Sequence, residues 1–68
     1  MTITLNNHIE EFASVEQLTV SELLLLKNFT GKILIIKVND KLVKNHERQH
    51  TIIKQNDIVI IANLVTGG

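Results

Sequence analysis

The chain has 68 residues and no cysteine, and that combination constrains its fold more than any motif does. A domain of this size buries only about 60% of the surface its unfolded chain exposes. Small domains often compensate with disulfides or a structural metal; here neither a disulfide nor a thiolate metal site can form. Stability must come from close packing of aliphatic side chains. Hydrophobic residues make up 44% of the chain and aromatic ones only 3%, so Ile, Leu and Val fill the core. One core, and therefore one domain, is expected.

Charge narrows the partners. Seven basic and seven acidic residues are interspersed and sum to zero. Nucleic-acid binding leaves clustered Lys and Arg, and no such cluster is present. The longest all-Leu run, Leu23-Leu24-Leu25-Leu26, is far short of a membrane span. Met1-Thr2-Ile3-Thr4 lacks the charged and apolar regions of a signal peptide. A soluble cytoplasmic protein is expected, with neither nucleic acid nor membrane as partner.

The apolar pattern lays out the elements. Thr2 to Asn6 alternates, which predicts a half-buried strand with Ile3 and Leu5 inward. Asn6-Asn7-His8 is turn chemistry, and Ile9 to Phe12 reads as the returning strand. Thr19-Val20-Ser21-Glu22 fits a capping box with Thr19 at the N-cap. Val20, Leu23, Leu24 and Lys27 then follow at helical spacing. Leu25 and Leu26 widen the apolar face, so broad packing of the helix on a sheet is expected. Asn28 and Gly31 end it. Ile33 to Val38 is an apolar, β-branched strand stopped by Asn39-Asp40, and Leu42-Val43 allows only a minor strand. Gln55-Asn56-Asp57 turns into a last strand, Ile58 to Ala62. The order is β-β-α-β-β-β, with the first and last strands as the natural central pair. A helix laid across one face of a mixed sheet buries both apolar sets.

The sequence ends in Thr66-Gly67-Gly68. Two residues without Cβ atoms make a thin, adaptable tether. The expected division is a domain over 1–63 and a flexible tail over 64–68. The five tail residues, Leu64, Val65, Thr66, Gly67 and Gly68, span roughly 17 Å when extended.

Taken together, these segments resemble the ubiquitin-like β-grasp sulfur carriers, and among them the thiamine-pathway ThiS type. The resemblance covers essentially the whole chain. It rests on Ile3-Thr4-Leu5-Asn6-Asn7, on Leu18-Thr19-Val20-Ser21-Glu22-Leu23-Leu24, and on Val38-Asn39-Asp40 followed by Leu42-Val43. The turn Gln55-Asn56-Asp57, the strand Ile58 to Ala62 and the terminal Gly67-Gly68 complete it. Asn7, Asp40 and Asn56 stand where such carriers usually have glycine. Asn and Asp are the next best residues for left-handed positions, so the expected fold survives: α+β, a β-grasp mixed sheet of four to five strands under one main helix.

The resemblance implies a function for the terminus. An α-carboxylate has a pKa near 3.5 and is ionised, hence a poor electrophile. In these carriers an activating enzyme adenylates it with ATP, and a sulfur donor displaces AMP to leave a thiocarboxylate. Gly68 is then the modified residue, and Leu64, Val65, Thr66 and Gly67 enter the partner's active site. The chain is a co-substrate and not an enzyme, with no catalytic residue, metal or cofactor of its own; ATP and Mg²⁺ belong to the activating partner. Implied partners are a ThiF-like adenylating enzyme, a thiazole synthase, and a sulfur donor such as a cysteine desulfurase or persulfide protein.

Strand alternation extends this reading. Lys37 points outward by its charge, so Ile35 shares its face while Leu34, Ile36 and Val38 point inward. The β-grasp pattern puts Val59 and Ile61 inward, leaving Ile58, Ile60 and Ala62 outside. Ile35, Ile58 and Ile60 are then an exposed patch for partner enzymes, unless a slipped register or a dimer buries them.

Other readings remain open beside this one. A molybdopterin-synthase small subunit ends the same way on the same fold. A plain β-grasp interaction module would leave the Gly-Gly end incidental. His46-Glu47-Arg48-Gln49-His50 matches the HExxH string of zinc peptidases. Lys44 to Thr51 contains no apolar residue, however, so a helix there would have no buried face. A solvated loop or short helix is expected, with adventitious surface metal at His46 and His50 as the lesser alternative and a catalytic zinc site disfavoured.

Overall fold

The computed structural model describes residues 1–30 and 33–64. Seven short strands and one helix follow in chain order. They are β1 (Thr2–Leu5), β2 (His8–Glu11), β3 (Gln17–Thr19), α1 (Val20–Leu26), β4 (Leu34–Val38), β5 (Lys41–Val43), β6 (Ile52–Lys54) and β7 (Ile58–Asn63). A single 3₁₀ turn, Asn45–Glu47, lies between β5 and β6.

Two hairpins of the same geometry build the main sheet. β1 and β2 are joined by Asn6 (φ 50°) and Asn7 (φ 68°), and β4 and β5 by Asn39 (φ 50°) and Asp40 (φ 68°). Two left-handed residues in a two-residue loop make a type I′ turn, whose twist matches that of the flanking strands. Seven described residues have positive φ: five Asn, one Asp and one Ser. Asn56, at φ 69°, is among them. All three glycine substitutes named from the sequence therefore occupy left-handed positions.

The hairpins flank the last strand, giving the sheet order β2-β1-β7-β4-β5. β7 runs parallel to β1 and antiparallel to β4. Its pleat sends Val59 and Ile61 into the core, where they meet Ile3, Leu5, Leu34, Ile36 and Val38. Val20 and Leu23 of α1 close this core from above, and Leu18, Val43 and the fully buried Ile53 complete it. Phe12 and Phe29 pack against it, half-buried. Among the described residues no polar side chain is fully buried, so the core is held by apolar contact. Each completely buried Ile or Leu contributes about 1.5–3 kcal/mol.

The helix begins as its capping box predicts. Thr19 Oγ1 accepts from Glu22 N at 3.1 Å, and Thr19 N donates to Glu22 Oε1 at 2.9 Å. It ends in a Schellman arrangement: Asn28 N donates to Leu25 O and Phe29 N to Leu24 O, with Asn28 left-handed at φ 60°. Gly31, the other expected stop, lies outside the described residues. Leu25 and Leu26 do not widen the buried face; they are 82% and 60% exposed. The helix is only seven residues long. At 100° per residue, Leu25 points away from the side shared by Val20, Leu23 and Leu24. Lys27 pairs with Glu10 of β2 at the surface.

Two strands, β3 and β6, add to the order expected from the sequence. β3 and β6 pair as a separate antiparallel ladder, Gln17↔Lys54, Leu18↔Ile53 and Thr19↔Ile52. It places buried Leu18 and Ile53 under the start of the helix. The returning strand of the first hairpin also begins one residue before the expected Ile9, at His8.

Adjacent turn residues should respond oppositely to glycine. Asn39 Oδ1 accepts from Ile58 N at 2.9 Å and its Nδ2 donates to Asp57 at 3.0 Å. Asn39→Gly therefore loses two bonds and about 1–2 kcal/mol. Asp40→Gly only relieves a left-handed backbone and gains up to about 1 kcal/mol. Urea midpoints of the two variants should move in opposite directions.

Candidate functional site

The face of the sheet turned away from α1 is apolar and uncovered. Ile58 is 53% exposed, and Ile35 and Ile60 are each 36% exposed. Register explains why these three share a face. Ile35 lies opposite Ala62, and Lys37 lies opposite Ile60. The same register adds two residues that alternation within single strands did not identify. Leu42 lies opposite Lys37 across β4 and β5, and Ile9 lies opposite Thr4, itself the partner of Ile58. Both are exposed. Lys37 is the one charge standing among Ile35, Ile60 and Leu42, so a partner surface would be apolar with an acceptor for one ammonium.

This face leads to the end of β7. Leu64 N donates to Ile33 O at 3.0 Å, extending the β4–β7 pairing by one residue, and both side chains are exposed. Val65, Thr66, Gly67 and Gly68 lie outside the described residues. Covalent geometry lets four residues reach up to about 14 Å beyond Leu64.

Two asparagines fix the strand that presents this face. Asn6 Nδ2 donates to Ile61 O at 3.1 Å, and Ile61 N donates to Asn6 Oδ1 at 2.8 Å. The side-chain amide thus acts as one more peptide unit after β1 has turned away. Asn39 does the same at the other end by accepting from Ile58 N. Asp57 Oδ2 accepts from Lys54 N, closing the turn into β7.

The HExxH string has a structural use. Its residues form a 3₁₀ turn over Asn45–Glu47 and further turns, not the α-helix a zinc peptidase needs to put both His on one side. Glu47 Oε1 accepts from Lys44 N at 2.8 Å and caps its own turn. Val20 N donates to Thr51 O and Ser21 N to Arg48 O, so this segment satisfies the first donors of α1 that no helical carbonyl can reach. Among the described residues no group of three His, Cys, Asp or Glu is placed to hold a metal ion.

Comparison with known proteins follows this geometry closely. A model of the ThiS family matches residues 3–68. Among solved structures, the thiamine biosynthesis protein ThiS of Geobacter metallireducens is 26% identical, with a TM-score of 0.86 over the whole of both chains. No curated protein matches.

Glu47 should behave as a cap and not as a general base. Glu47→Ala should lower stability by about 1 kcal/mol. Protein purified without a histidine tag should contain no stoichiometric zinc by elemental analysis; one zinc per chain would contradict this.

Proposed function

This chain belongs to the ThiS family, and we propose that it carries sulfur on its C-terminal carboxylate for thiazole formation in thiamine biosynthesis. The observation that supports this most is a family match that runs through both terminal glycines, joined to a fold whose last strand ends at Asn63, with three residues between it and them in the sequence. That match favours the thiamine pathway over molybdenum-cofactor synthesis. It also favours a carrier over a plain interaction module.

The chemistry follows from the reactivity of an acid. The Gly68 carboxylate oxygen attacks the α-phosphorus of ATP, pyrophosphate leaves, and an acyl-adenylate forms. A sulfur nucleophile then attacks the acyl carbon, and AMP departs with one former carboxylate oxygen. With a persulfide as nucleophile the product is an acyl disulfide. A thiol of the sulfur-donating system then attacks the donor-side sulfur, the S–S bond breaks, and the thiocarboxylate leaves as a donor disulfide forms. This chain supplies the acid and the delivery, while ATP and Mg²⁺ sit in a ThiF-like adenylating enzyme. The donor is a cysteine desulfurase or persulfide protein, and the recipient a thiazole synthase. All of these partners act in the cytoplasm.

Each part of the chain has a task in this scheme. Gly67 and Gly68 present no side chain to a narrow channel. Leu64, Val65 and Thr66 bridge from the domain to that channel. Ile35, Ile58 and Ile60 dock the domain on the enzyme, with Ile9 and Leu42 widening the contact.

Two outcomes are expected. Intact-mass analysis of protein from cells should show a species about 16 Da heavier, one oxygen replaced by sulfur, mapping to the C-terminal fragment. Deleting Gly68 should remove it without changing the melting temperature. Separately, Ile60→Asp should abolish adenylation while the domain stays folded, because Ile60 faces outward; unfolding of that variant would make Ile60 part of the core.

A further inference from the structure

Arg48 is half-buried, and its position is hard to reconcile with a merely solvated charge. Its Nη2 donates to Leu34 O at 3.3 Å, while its Nε is buried with no partner. A guanidinium ordinarily satisfies its five donors or leaves them in water. Something must offset this arrangement.

The sheet shows what Arg48 replaces. Along β4, residues 33 and 39 bond toward β7, as Leu64 N to Ile33 O and Asn39 N to Ile58 O demonstrate. By alternation, Leu34, Ile36 and Val38 direct their backbone groups toward β5. Ile36 and Val38 find partners there in Val43 and Lys41. Leu34 finds none, because β5 stops at Val43 and the chain departs into the 3₁₀ turn. Arg48 reaches back from that turn and supplies the donor the missing strand would have given. Its own carbonyl meanwhile accepts from Ser21 N at 3.0 Å, so it links α1 to the start of β4. Leu34 in turn pairs with Asn63, and Ile33 accepts from Leu64.

We infer that Arg48 is a positioning residue: its guanidinium takes the place of absent β5 pairing at Leu34 and so steadies the adjoining β4–β7 rung between Ile33 and Leu64. Its consequence for catalysis rests on the carrier reading; its structural content does not. A tail root that wobbles would leave docking on the sheet face intact but seat the terminus productively less often.

Native-state hydrogen exchange on the full chain tests the structural part. Arg48→Met keeps the apolar stem and removes the donors. It should speed exchange of the Leu64 amide about tenfold more than that of the Ile60 amide, which also faces β4. Arg48→Lys should fall between, and it carries the comparison if the Met variant does not fold. Equal acceleration at both amides would overturn the inference. With the adenylating partner, ATP–pyrophosphate exchange should show kcat lowered about threefold or more by Arg48→Met with KM unchanged. A change in KM alone, or in neither constant, would reduce Arg48 to a strut. If the unaltered chain supports no pyrophosphate exchange at all, the carrier reading fails, and the amide rates alone decide the role of Arg48.

Discussion

β7 is gripped on both edges, by backbone pairing and by two asparagine side chains, and the rest of the molecule depends on that grip. Parallel pairing to β1 and antiparallel pairing to β4 leave it no free edge. Asn6 and Asn39 extend the pairing where the neighbouring chains turn away. A strand held this firmly cannot slip by one residue, and a slip would exchange its two faces. Val59 and Ile61 would then face water while Ile58 and Ile60 entered the core. The same asparagines also accept the left-handed backbone that each hairpin requires. One residue type thus sets the turn, the register and the choice of exposed face.

The polar stretch between β5 and β6 plays a comparable part on the helix side. It has no apolar residue to bury from Lys44 to Thr51, yet Arg48 and Thr51 offer carbonyls to the first amides of α1. Glu47 closes the turn that brings those carbonyls into place. Such a short helix has little intrinsic stability, since nucleation is unfavourable and few bonds repay it. Its capping box, its Schellman end and this carbonyl platform compensate.

Much of this was legible in the sequence because it is written locally. Asn6-Asn7 and Asn39-Asp40 mark tight hairpins, Thr19 and Glu22 mark a helix start, and alternation along β4 and β7 assigns their faces. What stayed hidden depends on partners distant in the chain. Gln17–Thr19 and Ile52–Lys54 are too short to show a period, and they become strands only by pairing with each other. In the Leu23–Leu26 run, hydrophobicity alone could not say which side chains meet the sheet; the brevity of the helix decides that Leu25 does not. Ile9 and Leu42 stand on short outer strands, and only cross-strand register reveals that they share a face with Ile58 and Ile60. Arg48 stands in a wholly polar stretch, and only the backbone pairing that Leu34 lacks, distant in the sequence, gives it a role.

β7 therefore has two faces set by one pleat: its inner residues hold the domain together, and its outer ones, Ile58 and Ile60, lie exposed on the opposite face. The most direct measurement is an NMR titration of the labelled protein with the proposed ThiF-like adenylating enzyme. The account predicts perturbed methyl signals from Ile35, Leu42, Ile58 and Ile60, with Leu25 and Leu26 on the helix unchanged. Perturbation confined to the helix leucines, with the sheet face silent, would contradict it.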